Sequence, residues 1–80
     1  MKVRISNLPS FNGEEEVREL LKKYGALKDL RIIPDRYTQN DLVIVFVEFL
    51  NFQKVSLALK ELNNLVFDSI KVEAREIHNQ

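Results

Sequence analysis

The most apolar stretch of the chain is Leu42–Phe49, which is rich in β-branched side chains and is bounded by Asn40-Asp41 on one side and Asn51 on the other. Its length and composition predict a central strand of a sheet and not a helix. Because side chains alternate between the two faces of a strand, the odd-numbered residues, with Val45 among them, share one face, and the even-numbered residues, with Phe46 among them, share the other. Both sets are largely apolar. Helices in so short a chain can cover only one face, so the other face is predicted to be a docking surface.

Three further segments alternate polar and apolar side chains, at residues 2–8, 27–33 and 69–75, and each predicts a strand with one buried face. Two other segments show the i, i+3, i+4, i+7 spacing of an amphipathic helix. Their apolar residues are Val17, Leu20, Leu21 and Tyr24 in the first, and Val55, Ala58, Leu59 and Leu62 in the second. Asn12 is the predicted N-cap of the first helix and Gly25 its predicted end. The second helix is predicted over residues 52–62.

The resulting element order is βαββαβ, which predicts an α+β, ferredoxin-like sandwich. Its four-stranded antiparallel sheet carries both helices on one face. The length supports one hydrophobic core, so residues 1–80 are predicted to form a single domain.

The composition excludes several classes of function. Lys plus Arg (12) equals Asp plus Glu (12), so net charge does not indicate a strongly basic nucleic-acid binder. The absence of cysteine excludes disulfides and thiolate metal sites, and no apolar run is long enough to span a bilayer. The sequence has no glycine-rich phosphate loop, no zinc-ligand spacing and no nucleophile–histidine pair, and His78 stands alone near the C-terminus. We therefore expect no catalytic residue, metal, cofactor or small-molecule substrate, and no membrane association.

Two short motifs carry a family resemblance. The segment Leu42–Phe49 lies where one family has a signature that runs basic residue, glycine, aromatic, small residue, Phe, Val, any residue, aromatic. Residues 46–49 (Phe-Val-Glu-Phe) match its second half, whereas aliphatic residues replace its first half. Residues 3–8 match a shorter signature with Arg4 in place of an aromatic, and residues 62–64 (Leu-Asn-Asn) are similar to a Leu-Asn-Gly turn. The chain thus resembles the RNA recognition motif (RRM) family over essentially its whole length, with one of the family's three stacking aromatics present.

Within the family, the chain is similar to the RRMs of the large subunit of the splicing auxiliary factor, including its UHM-type RRM. The likeness lies in residues 8–11 (Leu-Pro-Ser-Phe), 22–25 (Lys-Lys-Tyr-Gly) and 46–49. A UHM binds a tryptophan-bearing peptide through an acidic first helix and an Arg-x-Phe before the last strand. The chain has the acids, but Leu20 occupies the position of the inner acid and Leu65 that of the arginine.

The resemblance implies a site on the open face of the sheet. Phe46 is expected to stack an unpaired base, and the guanidinium of Arg4 to replace a missing aromatic. Four cationic side chains against two carboxylates, Glu48 and Glu73, give this face a local positive charge. The predicted RNA-binding residues are Arg4, Ser6, Arg31, Ile44, Phe46, Lys71 and Arg75.

Other interpretations of these residues stay open. The alternative for Phe46, which we favour less than base stacking, is an aromatic covered by a C-terminal extension or a partner chain. The alternative for Arg4 is a solvated arginine that pairs with Glu48 or Glu73. Leu42 and Ile44 extend an apolar patch that suits a protein as well as RNA. Arg36 and Tyr37 lie in a loop that is able to clamp RNA.

The predicted function is binding of short single-stranded RNA. The resemblance adds pre-mRNA splicing, a nuclear location and other splicing proteins as partners. The alternatives are a protein-interaction RRM, which uses either the apolar sheet patch or the acidic helix as a UHM does, and a structural module within a larger protein.

Overall fold

A computed structural model describes residues 1–9, 14–36, 41–51 and 54–77 of the chain. The elements follow in the order β1 (Lys2–Pro9), α1 (Glu14–Lys22), β2 (Leu27–Pro34), β3 (Leu42–Phe49), α2 (Val55–Leu62), β4 (Val66–Phe67), β5 (Ile70–Lys71) and β6 (Glu73–Ile77). Asn12, Tyr37, His78 and the predicted first turn of the second helix at Phe52 lie outside the described residues. Within those residues, no helix is long and apolar enough to cross a membrane.

The principal sheet has four antiparallel strands in the order β2-β3-β1-β6. Both helices bury their apolar stripes in the same core as the strands: Val17 and Leu21 of α1 and Ala58 of α2 are at most 1% exposed. The remaining face of the sheet is left open. The predicted ferredoxin-like sandwich is therefore confirmed.

The alternation along β3 also has the predicted phase. Val45 and Val47 are 0% and 2% exposed and lie under the helices, whereas Ile44, Phe46 and Glu48 are partly exposed on the opposite face. Leu42 departs from the prediction. It is only 8% exposed, at the end of the strand opposite Pro9, so it does not extend the open apolar patch.

The predicted last strand, 69–75, is wrong in its bounds. Ile70–Lys71 pairs with Val66–Phe67 in a separate two-stranded hairpin, and the strand of the main sheet begins at Glu73. The two parts are separated at Val72, which is fully buried and donates its backbone N–H to the carbonyl of Leu65 at 3.0 Å. Asp68 and Ser69 form the hairpin turn with positive φ angles of 50° and 69°.

A bulge interrupts β1 where the sequence alternation changes phase. Ile5 pairs with Val45 and Leu8 pairs with Val43, so β1 contains one residue more than β3 between these two pairs. Asn7 takes up the change with a φ of 67°. The bulge returns Leu8 to the core, where it is 0% exposed.

The outer edge of β6 is closed by a side chain. The Asn63 amide, just after α2, accepts the Ala74 backbone N–H and donates to the Ala74 carbonyl, both at 2.8 Å. It also donates to the Leu59 carbonyl in the last turn of α2 at 2.8 Å. One side chain thus pairs with the edge strand as a neighbouring strand would, and joins that strand to the helix.

Candidate nucleic-acid interface

The strand register places four predicted site residues in one line across the open face. Phe46 of β3 lies opposite Arg31 of β2 on one side and Arg4 of β1 on the other. Arg4 in turn lies opposite Arg75 of β6. We call this line, Arg31–Phe46–Arg4–Arg75, the arginine row. It crosses the sheet from edge to edge with an aromatic ring inside it.

The arginines of this row have no carboxylate partner among the described residues. In that part of the chain, Arg4 forms no ion pair within 4.0 Å with Glu48 or Glu73. Glu48 instead lies near Lys28, with 3.9 Å between Oε2 and Nζ. Arg4 is half-buried, whereas Arg31 and Arg75 are exposed. Among the described residues, no carboxylate competes with an anionic ligand for these guanidinium groups.

A cleft of about 180 Å³ runs beside the Phe46 ring. Its walls include Lys2, Asp29, Arg31 and Glu48. The ring provides an apolar plane, and charged groups of both signs surround it. This is the arrangement that a stacked base with hydrogen-bonding edges requires. Lys2 and Asp29 were not predicted from the sequence, because only the pairing of β2 and β1 with β3 brings them beside Phe46.

A second pocket, of about 400 Å³, lies at the β6 end of the arginine row. We call it the edge pocket; its lining residues are Arg4, Ser6, Asn63, Lys71, Glu73, Ala74 and Arg75. Lys71 reaches it from the hairpin and not, as predicted, from a strand of the main sheet. The Asn7 side chain holds the hairpin there by donating to the Lys71 carbonyl at 3.1 Å.

Ser6 has an unusual position in this pocket. Ser6 as a whole is 8% exposed, and its hydroxyl oxygen is enclosed with no hydrogen-bond partner among the described residues. Enclosing an unpaired hydroxyl costs about 1–3 kcal/mol, so such groups are uncommon in folded proteins. Strand alternation alone did not predict this position, since the β1 bulge between Ile5 and Leu8 decides which way Ser6 points.

Ile44 lies at the opposite corner of the open face. It pairs with Ile33, which is 41% exposed. These two residues line a pocket of about 340 Å³ together with Pro34, Asp35 and Arg36. The predicted apolar patch therefore exists, but it is formed by Ile33 and Ile44 and not by Leu42.

The acidic helix offers fewer free groups than its sequence indicates. Glu14 pairs with Arg18 at 2.7 Å and Glu19 with Lys22 at 3.2 Å. Leu20, at the position of the UHM acid, packs against the core.

Tyr24, whose pKa is strongly shifted, lies away from the open face. Burial, with a 2.7 Å hydrogen bond from the Tyr24 hydroxyl to Glu61 and the charge of that carboxylate, raises the pKa of Tyr24 to about 12. The phenol stays neutral at physiological pH and joins the end of α1 to α2.

A four-stranded sheet with helices on one face, and an aromatic ring among cations on the other, defines a class of domain that presents its sheet to single-stranded nucleic acid. The chain belongs to the RNA recognition motif family, whose model matches residues 3–73. Domains of this family in general bind RNA and are not catalytic.

Within the family, the chain is similar to a subunit of a splicing factor. Over 64 residues, the chain is 30% identical to the large subunit of splicing factor U2af from Arabidopsis thaliana, covering 80% of this chain and 11% of that protein. The chain thus spans about a tenth of that relative's length. The resemblance to this splicing-factor subunit, predicted from short motifs, is confirmed.

Solved structures agree on the fold. The crystal structure of RNA Binding Protein PG1 is 30% identical, with a TM-score of 0.75 and coverage of 100% of this chain and 96% of that one. The Rna15 RRM with bound RNA (GU) is 22% identical, with a TM-score of 0.75 and coverage of 98% and 83%.

Proposed function

We propose that this domain binds short single-stranded RNA across the open face of its sheet. One observation carries the proposal: the arginine row aligns the Phe46 ring with three guanidinium groups that have no ion-pair partner among the described residues. Phe46 stacks one base, and the exposed guanidiniums of Arg31 and Arg75 contact the phosphates on either side.

Arg4 has a different role from its neighbours. It stands where the family usually has a second stacking aromatic, and it is half-buried between Phe46 and Arg75. A guanidinium is planar and stacks on bases, while its N–H groups still donate to phosphate. We therefore assign to Arg4 the second base position on the sheet.

The process we propose is pre-mRNA splicing in the nucleus, in the company of other splicing proteins. The similarity to the plant splicing-factor subunit supports it. Because the chain matches only 11% of that relative, we propose that it acts as one binding module among others.

An NMR titration of the domain with short pyrimidine and mixed single-stranded RNAs tests the proposal. We expect the largest amide shifts at Arg4, Arg31 and Phe46, with duplex RNA of the same sequence as the control. Duplex RNA cannot stack its paired bases on the ring, so it must shift these amides much less. Equal shifts with both RNAs, or none with either, would refute binding on the sheet.

A second candidate function is binding of a protein partner on the same face. The exposed pair of Ile33 and Ile44, with its adjoining pocket of about 340 Å³, favours it. This function would be the better description if RNA causes no amide shifts on the sheet and splicing proteins cause shifts confined to Ile33 and Ile44.

A further inference from the structure

We infer that the edge pocket binds the terminal phosphate of an RNA strand, an inference that rests on the proposed function for the identity of the ligand. Three cationic residues, Arg4, Lys71 and Arg75, line this pocket, against the single carboxylate of Glu73. In the described part of the chain none of the three forms an ion pair within 4.0 Å. The lining therefore has a net positive charge.

The charge of the pocket suits a phosphate monoester better than an internal phosphodiester. A terminal phosphate carries about −1.5 to −2 at neutral pH, whereas each phosphodiester along the chain carries about −1. The terminal group also has three free oxygens, which accept hydrogen bonds from several donors at once. Arg75, Arg4 and Lys71 provide such donors.

The Ser6 hydroxyl is a second and independent indication of a ligand. It is enclosed beneath the pocket, and the described residues give it no partner. A change of the Ser6 χ1 rotamer turns the hydroxyl from this enclosed position toward the pocket that the residue lines, where it donates to a phosphate oxygen. A bound phosphate thus supplies the hydrogen bond that the described residues leave unmade.

The position of the pocket explains why the phosphate is a terminal one. The arginine row ends at Arg75, on the edge strand of the sheet. Beyond this edge stand Lys71 of the hairpin and Asn63, whose amide is already engaged by backbone groups of Ala74 and Leu59. An RNA strand that follows the row reaches the edge of the sheet at this pocket, and its terminal phosphate is the group that the pocket receives.

Two binding measurements test the inference. In the first, inorganic phosphate is added to the domain at constant ionic strength, with sulfate as the comparison. We expect saturating amide shifts at Ser6, Lys71 and Glu73. This titration needs no RNA, so it decides the phosphate site even if the sheet fails to bind RNA. Absence of saturation at these amides overturns the inference.

In the second measurement, one short RNA is compared with a 5′-phosphate, with a 3′-phosphate and with neither. We expect one phosphorylated form to bind about ten-fold more tightly than the unmodified RNA. Equal affinity of the three RNAs overturns the terminal-phosphate inference but leaves sheet binding by Phe46 intact.

Variants separate a ligand contact from a structural role. Ser6→Ala removes a hydroxyl that has no partner among the described residues, so we expect the free domain to be no less stable, yet the advantage of the phosphorylated RNA to fall. Lys71→Gln must also reduce that advantage, whereas Lys54→Gln, at the opposite end of α2 from the pocket, must not. Equal loss of affinity for all three RNAs in Ser6→Ala and Lys71→Gln would overturn the assignment.

Discussion

Phe46→Leu and Val45→Ala together test the register of β3 and the function of the face it exposes. The residues are adjacent but lie on opposite faces: Val45 is 0% exposed in the core, and Phe46 is partly exposed in the arginine row. Val45→Ala removes two buried methyl groups, each worth about 0.8 kcal/mol of transfer free energy, and leaves a cavity. We therefore expect it to lower the free energy of unfolding by about 2–3 kcal/mol.

Phe46→Leu has the opposite profile. It keeps an apolar side chain of similar bulk on a half-buried site, so the loss of stability is expected to be below about 1.5 kcal/mol. It removes the aromatic plane, however, and with it about 1–2 kcal/mol of base stacking, which is about a five- to thirty-fold increase in Kd.

The assay combines urea unfolding with RNA binding measured where both variants are fully folded. Val45→Ala is expected to bind RNA almost as the wild type does. If Phe46→Leu destabilises the domain as much as Val45→Ala, the face assigned to RNA is part of the core. If Phe46→Leu leaves Kd unchanged, the sheet is not the RNA platform.

Three further predictions concern charge and pairing. Arg75→Gln is expected to raise the free energy of unfolding at low salt by about 0.2–1 kcal/mol, because Arg75 lies directly opposite the like charge of Arg4. The same change is expected to weaken RNA binding. A lower free energy of unfolding would contradict the proposed role of the pair. Because the pKa of Tyr24 is raised to about 12 from 10.0, its contribution to stability is complete below pH 10 and is lost as the pH rises to about 12; Tyr24→Phe must flatten this part of the pH–stability curve. RNA affinity is expected to fall with salt at a log–log slope no steeper than about −3, since four cations contribute about −0.7 each, and a slope near −6 would mean a further basic surface.

The sequence predicted β3 and its faces because the two faces of the strand differ in composition. One face is continuously apolar, and the other carries a single acid and an aromatic. The same rule failed at the last strand. Ile70, Val72 and Ala74 stay in phase through residues 70–74, so alternation alone does not reveal that the chain leaves one sheet and enters another at Val72. The break depends on a turn with two positive φ angles and on the hydrogen bond from Val72 to Leu65 across that turn, neither of which leaves a periodic trace.

The candidate site was predictable to a similar extent. Phe46 and its neighbouring arginines follow from strand alternation and a family motif. The edge pocket does not, because it depends on the bulge that encloses Ser6 and on the hairpin that carries Lys71. The spacing of three between Ile5 and Leu8, where alternation requires two, is the sign in the sequence that β1 contains a bulge.

The pairing of the Asn63 side chain with Ala74 also has a consequence for strand addition at the edge of the sheet. An unpaired edge strand is a template for intermolecular strand addition and aggregation, and proteins protect such edges. At β6 the Asn63 amide occupies the N–H and C=O of Ala74 that an incoming strand would use. At the other edge, β2 has charged side chains and a terminal proline, Pro34, for this purpose. Growth by strand addition is therefore expected first at β2, and loss of Asn63 would open a second edge, through which molecules could join into extended aggregates.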